Sequence, residues 1–69
     1  MKPKVLIFII TYKASFRVLN LVKKIPLNYL NKNTNYNILI SDDNSQDDTM
    51  DYIYQVKKNL KSKIILNLN

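Results

Sequence analysis

The sequence predicts an α/β unit of β-α-β-α-β order with parallel strands, an incomplete half of a larger three-layer domain. Three observations predict it. Two apolar, β-branched-rich runs, Val5–Ile10 and Tyr36–Ser41, have strand length. Each is followed by apolar residues at helical spacing. A third run ends the chain with nothing after it to pack beside it. Strands alternating with helices imply right-handed crossovers into a parallel sheet, and three strands with two helices cannot cover both of its faces.

The elements follow in order. Val5-Leu6-Ile7-Phe8-Ile9-Ile10 reads as a strand buried on both faces. Thr11-Tyr12-Lys13 breaks it. Val18, Leu21, Val22 and Ile25 recur at i, i+3, i+4 and i+7, one face of a helix that Pro26 ends. Asn28 to Asn35 reads as an asparagine-rich loop holding Tyr29 and Leu30. The second strand runs straight into Asp42-Asp43-Asn44-Ser45. Ser45 reads as a helix cap, with Asp48 closing a capping-box-like pair. Met50, Ile53, Tyr54 and Leu60 give the second helix an apolar face, which Lys57 interrupts. Asp47, Asp48 and Asp51 near its start, and Lys57, Lys58 and Lys61 near its end, match the helix dipole. Lys63 to Leu68 is the third strand. All 69 residues form one domain portion, without repeats or linkers.

Composition removes several chemistries. The chain lacks histidine, so neither a Ser-His-Asp system nor a His-ligated zinc can be built from it. It lacks cysteine, hence disulfides and thiolate sites. It lacks glycine, hence glycine-rich phosphate loops. Ten asparagines supply the residue type that best tolerates left-handed turns after glycine. The longest apolar run is six residues, against about 20 for a membrane span. No small-residue cleavage site follows it, so a signal peptide is not predicted.

The net charge of +6 is unevenly spread. Residues 1–35 hold seven cations and no acid, while all five acids fall between Asp42 and Asp51. The basic half invites a competing reading: a non-enzymatic fragment whose Lys13, Arg17, Lys23 and Lys24 contact nucleic acid or anionic membrane. The acidic cluster is the local exception. In open parallel sheets, ligands bind at the carboxyl ends of the strands. Ile10-Thr11-Tyr12 and Ser41–Ser45 stand at two such ends, side by side in this topology. Tyr12 offers a flat ring to a planar base and Asp43 an acceptor to its N–H edge. Two carboxylates repel phosphate, so the pair suits a nucleobase. Receiver domains also carry an acidic pair, but after the first strand, with a further Asp after the third; neither holds here.

"VLIFIITYK", followed about 30 residues later by "NILISDDNSQDDT", resembles the opening of the family 2 glycosyltransferases, which have the Rossmann-like GT-A fold. Their openings read strand, Pro-Thr-Tyr-Asn, helix, strand, Asp-Asp-Gly-Ser-x-Asp-Gly-Thr. Asp42, Asp43, Ser45, Asp47 and Thr49 fall in that register, and the likeness spans about Lys4 to Leu68. Ile10 and Lys13 replace the usual proline and asparagine, and Asn44 and Asp48 stand at the usual glycines. Asn44 is the substitute best able to take a left-handed conformation, and Asp48 fits a first helical turn.

The resemblance implies the N-terminal, nucleotide-binding part of an inverting glycosyltransferase for cell-surface polysaccharide. Its donor would be a nucleotide-diphosphate sugar, commonly a UDP-sugar, and its acceptor a glycan or lipid-linked molecule. Ile10, Thr11, Tyr12, Asp42, Asp43 and Ser45 would lie on the nucleotide, with Asp42 supporting the loop or the ribose side. A divalent metal, Mg²⁺ or Mn²⁺, would be held by an Asp-x-Asp motif, and a still later carboxylate would be the base; these residues contain neither motif. The 69 residues alone are therefore expected to bind nucleoside without transferring sugar. The implied location is cytoplasmic, up to the inner face of the membrane, where the basic first helix offers a peripheral contact. Nucleic acid is not expected as a partner. An incomplete sheet predicts marginal stability, or self-association through an exposed edge.

Overall fold

In a computed structural model describing residues 1–69, three strands form one parallel sheet in the order β1-β2-β3. β1 spans Lys4–Thr11, β2 Asn35–Asp42 and β3 Ile64–Leu68. The helices are α1, Arg17–Lys23, α2, Leu27–Asn33, and α3, Thr49–Leu60, followed by a 3-10 turn at Lys61–Lys63. The α/β class, the alternation and the parallel sheet are those the sequence predicts.

The layering differs. Successive parallel strands stepping in one direction through right-handed crossovers put every helix on the same face. Val5, Ile7 and Ile9 of β1 and Ile38 and Ile40 of β2 meet Val18, Val22, Leu30, Ile53 and Val56 of the helices in a single core. The chain therefore has two layers rather than three. The opposite sheet face is bare. Phe8, Leu39 and Ile65 lie in one cross-strand row on it. Phe8 is 56% and Ile10 72% exposed. So β1 is not buried on both faces: its run is continuous in sequence but alternates in burial.

Three local expectations are also corrected. Residues Leu27–Asn33 are a helix, not a loop. Leu27 and Leu30, three apart, both reach the core, while Asn28, Asn31 and Asn33 stay in water. The Leu30 amide donates to the Pro26 carbonyl at 3.0 Å, and Pro26 leads into the helix with its ring-fixed φ of −77°. On α1, Val18 and Val22 are buried but Leu21 is exposed. On α3, Val56 takes the core position expected of Tyr54, which is exposed. Lys57 does not spoil that face, because its ammonium folds over the helix end and donates to the carbonyls of Lys61 and Ile64, at 3.2 and 2.8 Å. No helix is long and apolar enough to cross a membrane.

Candidate functional site at the carboxyl ends of β1 and β2

Strand parity decides the roles of the acidic pair. Tyr36, Ile38, Ile40 and Asp42 all point to the core face of β2, so Asp42 is drawn inward and is 2% exposed. Its register partner on β1 is Thr11, which also points to the core side and is buried. Asp43 lies one residue on and is exposed.

A buried carboxylate requires donors, and Asp42 has three. The Thr11 hydroxyl donates to Oδ1 at 2.7 Å. The Ser45 hydroxyl donates to the same oxygen at 2.7 Å, and the Ser45 amide to Oδ2 at 2.8 Å. Ser45 Oγ in turn accepts from the Lys13 amide at 2.8 Å. The Asp43 amide donates to the Thr11 carbonyl at 3.0 Å, prolonging the ladder past the strands. The β1–α1 and β2–α3 loops are thus fastened to each other through one carboxylate. Burial by itself raises the Asp42 carboxyl, but the donors from Thr11 and Ser45 outweigh it, and against a small upward push from the Asp47 charge they hold it below its ordinary value.

A second latch lies beside the first. The Ser15 amide donates to Thr49 Oγ1 at 2.9 Å. That hydroxyl donates to Asp47 Oδ1, which also accepts from the Thr49 amide at 2.9 Å. The bond from the Thr49 hydroxyl, then that from its amide, keep the Asp47 carboxyl below its ordinary value, with a smaller contribution from the Lys13 charge. Ser45 is consequently not a helix cap. Its amide and hydroxyl are both taken by Asp42, α3 begins four residues later, and the Asp47 carboxylate receives the first helical amide.

Four non-glycine residues have positive φ: Lys13 at 49°, Ser15 at 52°, Asn44 at 54° and Lys61 at 52°. Asn44 is left-handed, as its place in the motif anticipates. Asp48, at φ −80°, needs no glycine. Lys13 and Ser15 carry no sequence signal for such a conformation. Each has its amide fixed by an acceptor across the site, Ser45 Oγ and Thr49 Oγ1. Thr49 and Lys13 are the site-building residues that the acid-centred reading misses, Thr49 being visible only as part of the motif register.

The six residues expected on the nucleotide side therefore divide. Thr11, Asp42 and Ser45 are buried and occupied with one another. Tyr12, 58% exposed, and Asp43 follow directly after the Thr11–Asp42 pair. Ile10 faces the bare side of the sheet. Two cavities are present. One of about 350 Å³, beside β1 and α1, is bordered by Ile10, Thr11, Arg17 and Lys24. The other, about 300 Å³, lies between the second halves of α1 and α3, against Val22, Ile25, Val56 and Leu60, and touches none of the six. No three acidic side chains gather to suit a divalent ion, and the Asp42 oxygens are already committed to hydrogen bonds.

Comparison with protein-family models, curated proteins and solved structures finds no match.

Proposed function

We propose that this chain is the nucleotide-binding part of an inverting, family 2-like glycosyltransferase, and that its own task is to hold the nucleoside of a nucleotide-sugar donor. The observation that carries the reading is the Thr11–Asp42–Ser45 latch. It ties the two loops at the strand ends and leaves Tyr12 and Asp43 as the exposed groups beside it. An exposed aromatic ring and an exposed carboxylate suit a pyrimidine base, the ring by stacking and the carboxylate by accepting from the imide N–H. Asp42 acts as a positioning residue, because its oxygens already accept three protein donors. The left-handed Asn44, at a usual glycine of the resembled motif, supports the same reading.

The residues present do not fit a divalent metal, so no step is derived through one. In the proposed enzyme, displacement of the nucleoside diphosphate by an acceptor hydroxyl, with inversion at the sugar carbon, uses groups outside these 69 residues. This part binds and orients the donor.

Calorimetric titration of the chain with uridine tests the reading. Binding is expected, and Tyr12→Ala and Asp43→Ala are each expected to weaken it about tenfold, roughly 1.4 kcal/mol. Absence of uridine binding, or binding indifferent to both substitutions, would count against it.

A further inference from the structure

We propose that Lys13 is the phosphate-recognising residue of this site, so that the chain selects a nucleoside phosphate over the bare nucleoside without a metal ion. The inference deepens the proposed function and rests on it.

A nucleotide is a planar base joined to an anion, and the site must meet both parts. The carboxylates of the cluster keep their charge, so an anion bound here needs a cation of its own. Asp42 is buried and saturated by three donors. Asp47 is engaged by the amide and hydroxyl of Thr49. Lys13 has the opposite circumstances. Its main chain is anchored at both ends, the amide to Ser45 Oγ at 2.8 Å and the carbonyl to the Arg17 guanidinium at 3.0 Å. Its side chain is exposed, and the ammonium lies 5.3 Å from the centroid of the Tyr12 ring. Base-stacking ring and cation are therefore adjacent in sequence and in space, on a loop fixed by the latch.

The surroundings agree. Arg17 also donates to the Ala14 carbonyl at 3.1 Å, which holds a second cation against the same loop. The cavity of about 350 Å³ beside it is bordered by Arg17 and Lys24 and has no acid in its lining. Lys13 is held in a left-handed conformation at φ 49°, with its amide bonded to Ser45 Oγ.

The test is calorimetry with uridine, UMP and UDP in the presence of EDTA, on wild-type chain, Lys13→Asn, Lys13→Arg and Lys58→Gln. Asparagine removes the charge while tolerating the left-handed backbone. Lys58 is an exposed cation near the end of α3, and its variant controls for net charge. The expected result is UDP bound at least about tenfold tighter than uridine by the wild type, and the same with Lys13→Arg and Lys58→Gln. Lys13→Asn should bring UDP and UMP affinity down to that of uridine in the same variant. Equal wild-type affinity for uridine and UDP, with dependence on Tyr12 and Asp43, overturns the phosphate role and leaves the nucleoside reading standing. A loss of UDP affinity equally large in Lys58→Gln overturns it as a bulk-charge effect. No binding of any of the three overturns both.

Discussion

The Thr11 hydroxyl donates to the buried carboxylate of Asp42 at 2.7 Å, across the register pair that closes β1 against β2. That bond turns two loop beginnings into one surface. The Ser45 hydroxyl donates to the same oxygen. Removing the carboxylate orphans donors that water reaches poorly, and each such group costs about 1–3 kcal/mol. Asp42→Ala is therefore expected to lower unfolding free energy by roughly 2–4 kcal/mol. Thr11→Val, which keeps the shape and loses one donor, should cost about 1–2 kcal/mol. Urea denaturation of the two variants checks the order, and an Asp42→Ala variant as stable as wild type would remove the latch from the account.

Acid acts on the same bonds. The Asp42 and Asp47 carboxyls both lie below their ordinary 3.8. A group with a depressed folded pKa binds its proton more readily when unfolded. Its contribution is complete above the unfolded value and is lost as pH falls through the folded one. The latches should hold fully at about pH 6 and weaken as pH drops below 3.8 toward the lower folded values. Urea midpoints at about pH 6 and about pH 3 are expected to fall less in Asp42→Asn than in wild type. Equal falls would contradict the assignment.

The two sheet faces predict opposite responses to truncation. Ile40 is completely buried, and Ile40→Ala should cost about 2–5 kcal/mol. A domain of this size has roughly 3–10 kcal/mol in total, so that loss is a large fraction of its stability. Phe8 is larger but stands on the bare face, and Phe8→Ala should change stability by less than about 1 kcal/mol. Thermal unfolding followed by circular dichroism separates the two.

Much of this was readable in the residues. Val5–Ile10 and Tyr36–Ser41 announce strands by their β-branched content, and Asn44 announces a left-handed position. Leu27–Asn33 does not announce a helix, because its asparagines resemble loop composition and only the Leu27/Leu30 spacing carries the periodicity. The bare face could not be read from β1 either, since an alternating strand whose outward positions are Leu6, Phe8 and Ile10 has the composition of a doubly buried one. At the site, the acidic pair is visible but its division is not. It depends on the parity that turns Asp42 inward and on the donors waiting there.

Lys61 ends α3 at φ 52° and ψ −120°, a conformation that suits glycine, in a chain without one. The Lys57 ammonium bonds its carbonyl, so the side chain of Lys61 is not needed for that clasp. Lys61→Gly is expected to raise unfolding free energy by about 0.5–1 kcal/mol, strain relief exceeding the added chain entropy. A lower urea midpoint would show that the backbone there is not strained.

Tyr12 and Asp43, the exposed pair beside the latch, are proposed to receive a nucleoside. Amide chemical shifts of the ¹⁵N-labelled chain, followed during titration with uridine, test it most directly. Saturable shifts are expected at Tyr12, Lys13, Asp43 and Asn44, with residues of the second halves of α1 and α3 unmoved. Saturable shifts centred instead on Val22, Ile25 and Leu60, or no shifts at all, would contradict it.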